Sequence, residues 1–594
     1  MFAAGSCLLP ALLLLVRAPT PTLRGAAPAG ERSPVDVLLT PDERYLISIN
    51  QGSGTIALVD LSTARVVSEV ACGARPGAAV LTPNGRRLLV SATFAGKITL
   101  FDIADGTLKP AGAIPVGFAP RGLAVAPDGK LAYVALSNGS AVAVLDLEQN
   151  KLVDKIEVGR WPRYLALSPD GKKLAVGVNG DGGVAVVDTA TRKRAFLEDF
   201  AGINLGQMQV AADNRFVYFP FMVYRHNPIT AGNIRLGWVL ASRIGRVRLD
   251  KQLRREAVSL DPQGQAIADP HGLALSPDEQ TLVCAASGTQ ELLVYRLKDL
   301  PLQDYGGSDH IPPDLLKDRQ RFRRIALGGR PMALRFARDG QRVFVANYLL
   351  NAIQVVDLST DKIAQTIHLG GPKEPSLARR GEAIFYDGKR SLDQWYSCHS
   401  CHYEGGTNAI AMDTRNDGRD RTFKTVLPLR HVGKTGPWFW HGWQTDLDAA
   451  VRKSMTETML GKEPTADDVR AVIAFLNELD VPPNPYRQAD GTLTEPARRG
   501  EKVFQRAGCA NCHSGPYFTD GKIHDVGLGG RNDAYQGYNP PSLLGVHDRV
   551  KFLHDGRASS LREVLTGPHS PARLSDTTLS AEELDDLIAY LKSL

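Results

Sequence analysis

From residue 35 to about 371 the apolar positions fall in short runs, broken by turns rich in Gly, Asn and Asp. Within the runs, β-branched residues alternate with small or polar ones, a period-two pattern that predicts strands. The pattern itself repeats. A turn of Pro-Asp-Gly character recurs as "TPDE" at 40, "TPNG" at 82, "APDG" at 126, "SPDG" at 168, "AADN" at 211, "SPDE" at 276 and "ARDG" at 337. The first five lie 42 to 44 residues apart; the last two intervals are lengthened by "RHNPITAGNIRLGW" (225–238) and "DLPLQDYGGSDHIPPD" (299–314). Each unit keeps one order: a short apolar strand, the turn, a strand such as "KLAYVAL", a Gly-rich turn, a strand such as "AVAVLDL", and a fourth such as "KLVDKIEVG". Four short strands in a unit of this length make a propeller blade. Units beginning near 35, 75, 121, 163, 205, 271 and 332 predict seven blades.

After "HLGGPKEP" the period changes to that of helices. "SLARRGEAIFYDG" (376–388) reads as an amphipathic helix, and "EPARRGEKVFQRAGCANCHSGPYFTD" (495–520) repeats its start. Each repeat closes on a helix with a capping box: Thr465 and Asp468 open "TADDVRAVIAFLNEL", Ser580 and Glu583 open "SAEELDDLIAYLKSL". Their apolar stripes, Val469, Val472, Ile473, Leu476 and Leu584, Leu587, Ile588, Leu591, have helical spacing. "VPPNPYRQADGTLT" (481–494) is a linker by composition. A chain of 594 residues is too long for one core. The expected fold is multidomain: an all-β seven-bladed propeller over 30–371, then two all-α units over 374–480 and 495–594.

Both helical units carry C-x-x-C-H: Cys398, Cys401 and His402 in the first, Cys509, Cys512 and His513 in the second. Paired cysteines at this spacing serve redox dithiols, zinc sites or covalent haem. A thioredoxin-like pair expects a βαβ setting and no following His. A four-cysteine zinc site needs its pairs closer than the 108 residues from Cys401 to Cys509. Two copies, each on its own small helical unit, read as c-type cytochrome domains with two covalently bound haems. The thiols add to the haem vinyl groups, and His402 and His513 become the proximal iron ligands. His399, inside the first spacer, cannot readily reach the same iron and is expected at the surface.

The repeat turns Val59-Asp60-Leu61, Phe101-Asp102-Ile103, Leu145-Asp146-Leu147, Val187-Asp188-Thr189 and Val356-Asp357-Leu358 resemble the YVTN-type propeller repeats of exported bacterial proteins. That resemblance covers about 35–371 and speaks to fold more than to function. His226, His271, His310 and His368 are too few for a multi-histidine copper cluster. Cys72 and Cys284 fall in non-adjacent blades and are expected as separate apolar thiols. The two insertions are better candidates for binding.

"FTDGKIHDVGL" (518–528), "PPSLLGV" (540–546) and "FLHDGRASSLREVL" (552–565) look like the second half of the bacterial di-haem cytochrome c peroxidase and MauG family. "PWFWHGWQTDLDAAV" (437–451) looks like that family's "QFWDGRA-x-x-LE" segment, so the match covers 374–594. The resemblance implies one haem as a peroxide site and the other as an electron store or relay. Hydrogen peroxide would be reduced, or a partner protein oxidised. Trp438 and Asp448 stand where the family has Gln and Glu in its peroxide pocket. Asp448 is either the distal acid–base, a role worth about 10²–10⁴-fold, or a carboxylate on the helix face. His441 replaces the family's Asp, as a distal base, a ligand or a structural hydrogen-bonding residue. At the second haem the family's Met or Tyr is Pro568 here; His569 is the first candidate sixth ligand and His554 the second. A His/His haem has a lower potential than a His/Met haem. At the first haem Met459 is the candidate sixth ligand, with core packing the alternative for it and for Met455. Calcium has no support in the sequence.

The composition, 43% hydrophobic and 23% charged with net charge +6, is that of an ordinary globular protein. The basic stretches "KDRQRFRR" and "RIGRVRLDKQLRRE" lack interleaved aromatics, which argues against a nucleic-acid groove. They read as solvated faces or a docking site for an acidic protein. "MFAAGSCLLPALLLLVRAPTPTLRGAAPAG" looks like an export signal: Leu8–Val16 is too short to span a bilayer and Ala27-Pro28-Ala29 offers a cleavage site. The expectation is a signal peptide over 1–29, a periplasmic chain without a membrane span, and an electron-donor or acceptor protein partner of small cytochrome or cupredoxin type. The alternative function is a non-catalytic electron carrier with both haems six-coordinate and the propeller as a protein-binding module.

Overall fold

The structure is a computed structural model that describes residues 30–594 except 105, 254, 305–307 and 531, so the expected signal peptide lies outside the described residues. Seven antiparallel sheets form the blades of a propeller. In blade one the strands run in chain order from Pro34–Leu39 to Arg65–Ala71. The inner strands, such as Thr55–Asp60, are buried along nearly their whole length because a neighbouring blade covers each face. The fourth strands are more open, as in Lys151–Glu157, where exposed residues alternate with partly buried ones and only Ile156 is fully buried. Every blade except the fifth is built from its own strands alone, and the ring closes where Pro34–Leu39 packs on Pro331–Phe336. The Asn351 side chain pins that seam, accepting from the Arg32 and Ser33 amides at 2.8 and 2.9 Å.

Blade five is enlarged. The first insertion carries the short helix Ala231–Arg235 between Phe216–Tyr224 and Leu240–Arg248. The second reaches back from blade six, and its Gln303–Asp304 pairs with Glu256–Ser259 on the edge of blade five. Cys72 and Cys284 are buried and unpaired, and burial pushes the Cys72 thiol up to about 12.

The helical units share one scaffold. In the first, Leu377–Phe385 crosses Ala466–Asn477; in the second, Glu495–Arg506 crosses Ala581–Lys592. Both capping boxes form as expected. The glycine of each "ARRGE" copy sits at the crossing. A Cβ on Gly381 would lie 1.8 Å from the Ala471 carbonyl oxygen, and one on Gly500 1.9 Å from that of Asp586. Only a residue without a side chain allows this approach. The segment 481–494 is tied on both sides: Asn484 donates to the Lys592 carbonyl at 3.0 Å, and Tyr486 stacks on Phe118 of the propeller.

The first helical unit is seated on the axial end of the propeller. There the central strands of blades two to seven begin, and each brings a polar residue. Arg75 pairs with Asp480 at 3.0 Å, and Arg121 grips Glu404 with two bonds of 3.0 and 2.5 Å. Arg163 lies 3.9 Å over the Tyr403 ring, and Asn204 donates to the Ser400 carbonyl at 2.8 Å. Asp269 accepts from the Ser397 and Ser400 hydroxyls at 2.5 and 2.6 Å, and Arg330 lies 3.5 Å over Tyr386. Although burial opposes it, the guanidiniums of Arg121, Arg163 and Arg75 hold the Glu404 carboxyl well below its ordinary value. His399, expected at the surface, is instead 4% exposed. Asp269 and Arg330 of the propeller close over it, and the Tyr386 and Tyr403 rings flank it.

Candidate functional site

Cys398–Cys401 forms one helical turn, capped by Ser397, whose hydroxyl accepts from the His399 amide. His402 follows, and its Nδ1 lies 2.9 Å from the Leu427 carbonyl oxygen. A carbonyl only accepts, so Nδ1 carries the proton and Nε2 keeps its lone pair. Burial pushes the His402 pKa down to about 4, which leaves the ring neutral near pH 7. The second unit uses the same device: His513 Nδ1 lies 3.1 Å from the Phe518 carbonyl, and burial pushes this ring to about 4 as well. A histidine oriented through Nδ1 with Nε2 free is how a metal-ligating imidazole is held.

His402 opens on a cavity of about 490 Å³, which Cys398, Cys401, Trp438, Trp440, His441, Met455 and Met459 also line. Leu447–Lys453 runs on into a single π-helical turn, Ser454–Thr458, of the kind that recurs at functional sites. Met455 and Met459 are 4% and 3% exposed there. The Met459 sulfur lies 3.8 Å from the Cys398 thiol, and Met412 lies 3.4 Å from that of Cys401. The thiols, the free Nε2 and this apolar wall fit a c-type haem. Two guanidiniums of the wall, Arg430 and Arg549, each keep an Nε without a hydrogen-bond partner.

Asp448 is not among the residues lining this cavity. Asp446 caps the helix, which turns Leu447 toward the cavity and Asp448 outward. There Asp448 accepts from Arg452 at 2.6 Å, with 41% of its side chain exposed. His441 does reach the wall. It is 5% exposed, stacks on Trp443 at 4.1 Å, and places Nε2 3.0 Å from Asp533 of the second unit. Asp417 brings a third donor atom within 4.8 Å of these two, while Lys424 holds Asp533 at 3.0 Å.

In the second unit His569 faces His513, with ring centroids 6.4 Å apart and planes at 84°. His569 is thus the neighbouring imidazole that could serve as a second donor if a metal is held by His513. His569 Nδ1 has no hydrogen-bond partner. His554 lies elsewhere, buried 4.6 Å from the Tyr538 ring and 6.3 Å from Trp440. These three rings bridge the two units. Hydrogen bonds to backbone carbonyls lock the junction: the Thr425 amide donates to His554 at 2.6 Å, and the Asn539 side chain to Pro437 at 2.5 Å.

An internal repeat, not seen in the sequence alone, relates the two distal sides. Trp438 bridges Gln444 as Phe552 bridges Ala558. Phe439 and Leu553 share a positive φ of 64° and 66°, and Gly442 and Gly556 follow with 63° and 73°. A capped helix comes next in each, beginning at Leu447 and at Leu561. Counted from those starts, His569 corresponds to Met455, not to Met459.

Comparisons with known proteins agree with this division of the chain. The family described as "Lactonase, 7-bladed beta-propeller" matches residues 60–152, and "Cytochrome c" matches 497–594. Hydrazine synthase subunit gamma of Kuenenia stuttgartiensis is 28% identical over 278 residues, covering 38% of this chain and 79% of that protein. The methylamine utilization protein MauG of Methylophilus methylotrophus is 31% identical over 288 residues, covering 38% and 84%. Cytochrome c551 peroxidase of Nitrosomonas europaea is 21% identical over 288 residues, covering 40% and 85%. With a seven-bladed propeller ahead of its cytochrome region, the chain belongs to the family of MauG and the di-haem cytochrome c peroxidases.

Proposed function

We propose that this protein is a periplasmic di-haem oxidoreductase of peroxidase type, in which the first haem site reacts with hydrogen peroxide and the second relays electrons. Cys398, Cys401 and His402 would hold one haem, and Cys509, Cys512 and His513 the other. When bound, such a group exchanges single electrons and, with a free coordination position, cleaves peroxide. The observation that carries the reading is the asymmetry of the distal sides. His569 stands ready opposite His513. The first cavity offers methionine, tryptophan and His441 instead.

Within that cavity the chain supplies orientation, dryness and a proton site. Leu427 fixes the tautomer of His402. Trp438, Trp440 and the methionines exclude water. His441, which burial keeps neutral while the Asp533 carboxylate opposes that shift, takes the distal proton role that Asp448 is turned away from. The Trp440, Tyr538 and His554 rings lie between the units, where an electron must pass. The names of the peroxidase and MauG relatives support this chemistry, with electrons drawn from a small redox protein.

Electron paramagnetic resonance of the oxidised and half-reduced protein, with peroxide consumption in parallel, tests the proposal. A high-spin signal that peroxide abolishes, assigned to the first site by its loss in His402→Gly, is expected. Low-spin spectra in every redox state, with no peroxide consumed, would establish the second reading, a pure electron carrier. The burial of Met455 at the position equivalent to His569 favours that second reading, because a bound thioether closes the peroxide position.

A further inference from the structure

The two guanidiniums in the wall of the first cavity are short of counter-charge. Arg549 is supplied by the second unit, just after the turn Val546–Asp548. One of its terminal nitrogens donates to the Ser542 carbonyl at 2.9 Å. Its Nε is closed to solvent and bonded to nothing, and among the described residues no carboxylate acts on it. Burial alone pushes it down to about 10. Arg430 lies three residues beyond Leu427, the residue that holds His402. Its Nε is equally unpartnered, and its nearest carboxylate, Asp548, stays 3.7 Å away. Lys424, also in the wall, is already taken by Asp533. A guanidinium held out of water is costly unless an anion completes its site, and its planar fork matches a carboxylate.

A haem carries two carboxylates, its propionates, on the edge away from the vinyl groups that the cysteines consume. We propose that Arg430 and Arg549 bind the two propionates of the haem held by Cys398, Cys401 and His402, so that the second unit reaches across the junction to complete the first unit's haem site. The inference rests on reading the first cavity as a haem site. It assigns to Arg549 a positioning role: it touches neither peroxide nor iron, and it neutralises a charge on the ring.

The test uses the haem-loaded full chain. Haem stoichiometry is first read from the pyridine haemochrome; a protein with no haem on Cys398 and Cys401 would defeat the reading of the cavity, not the assignment of the arginines. In loaded Arg549→Met and Arg430→Met, spectroelectrochemical titration at one pH should show the first haem's potential moved negative, because a positive charge beside it has gone. Resonance Raman should show its propionate bending band shifted. Arg549→Lys, which keeps the charge and loses the fork, should retain the potential while still shifting the band; it also serves if the Met variant does not fold. An unchanged potential and an unchanged band in the loaded variants would overturn the proposal. So would a shift confined to the second haem, since Arg549 also acts on His513.

Discussion

At the scale of single residues, the chemistry is carried by imidazoles whose two nitrogens play different parts. His402 and His513 each spend Nδ1 on a backbone carbonyl, which leaves Nε2 for metal. His569 has no such tether on Nδ1, which leaves that nitrogen free as the sixth ligand proposed for the second haem. Removing it in His569→Ala should convert the second haem from low to high spin, visible in the absorption spectrum, without loss of covalent haem. If the spectrum stays low-spin, His569 is not the ligand. His271 serves the fold instead. Its Nε2 lies 2.8 Å from the Tyr164 hydroxyl, and burial pushes its pKa down to about 3. In the unfolded chain that pKa returns to about 6.5. Below that value the unfolded state binds the extra proton, so stability falls as pH drops from about 6.5 toward 3. Urea midpoints should decline across that window, and His271→Gln should flatten the decline. The two C-x-x-C-H motifs were legible in the sequence because the chemistry they are proposed to serve demands neighbours in the chain. Arg549 and Asp533 were not, because Arg549 reaches the first cavity, and Asp533 reaches His441 in its wall, from the other helical unit.

At the scale of elements, each cytochrome unit hangs on one helix crossing. The sequence showed the duplicated "ARRGE" but not its reason. Gly381 and Gly500 are where one helix touches the backbone of the next. A methyl group there has a carbonyl oxygen to displace, and overpacking of this kind costs about 1–3 kcal/mol. Gly381→Ala and Gly500→Ala should each lower the thermal midpoint of the loaded protein, and Gly232→Ala, whose Cβ would meet only the Thr230 hydroxyl at 4.0 Å, should not. Helix starts were legible because caps are local signals: Thr465 and Ser580 behave as their sequences say. The π turn at Ser454–Thr458 was not, since nothing in its composition marks it. The sequence offers both Met455 and Met459 there, with Met459 the candidate ligand, whereas the repeat of the distal turn points to Met455.

At the scale of the molecule, the blades were readable because each restates the same apolar pattern, but the docking of the propeller was not. Arg121, Arg163, Asn204, Asp269 and Arg330 are scattered through five blades, and only closure of the ring collects them. Their axial face is occupied by the chain's own first cytochrome unit, so a protein partner must use another surface. Glu404 is the centre of that grip. Glu404→Gln leaves Arg121 partly buried beside a neutral group, and losing one partner of a buried pair costs about 3–5 kcal/mol, discounted here because both side chains keep some exposure, 20% and 27%. Differential scanning calorimetry should then resolve separate propeller and cytochrome transitions where the parent melts as one. A single unshifted transition would show that the pair does not join them.

The seating of Cys398–Cys401 would also constrain the order of biogenesis, were a haem attached there. Its far side is fastened to Asp269 and Asn204, whereas Cys509–Asn511 stands on a unit with no such fastening on its attachment turn among the described residues. A maturation enzyme that forges thioether bonds needs a pliant substrate. The first motif is pliant only until the ring closes and receives it. If this motif takes a haem, attachment is expected before the propeller docks, whereas the second motif stays free of the propeller's grip on its attachment turn.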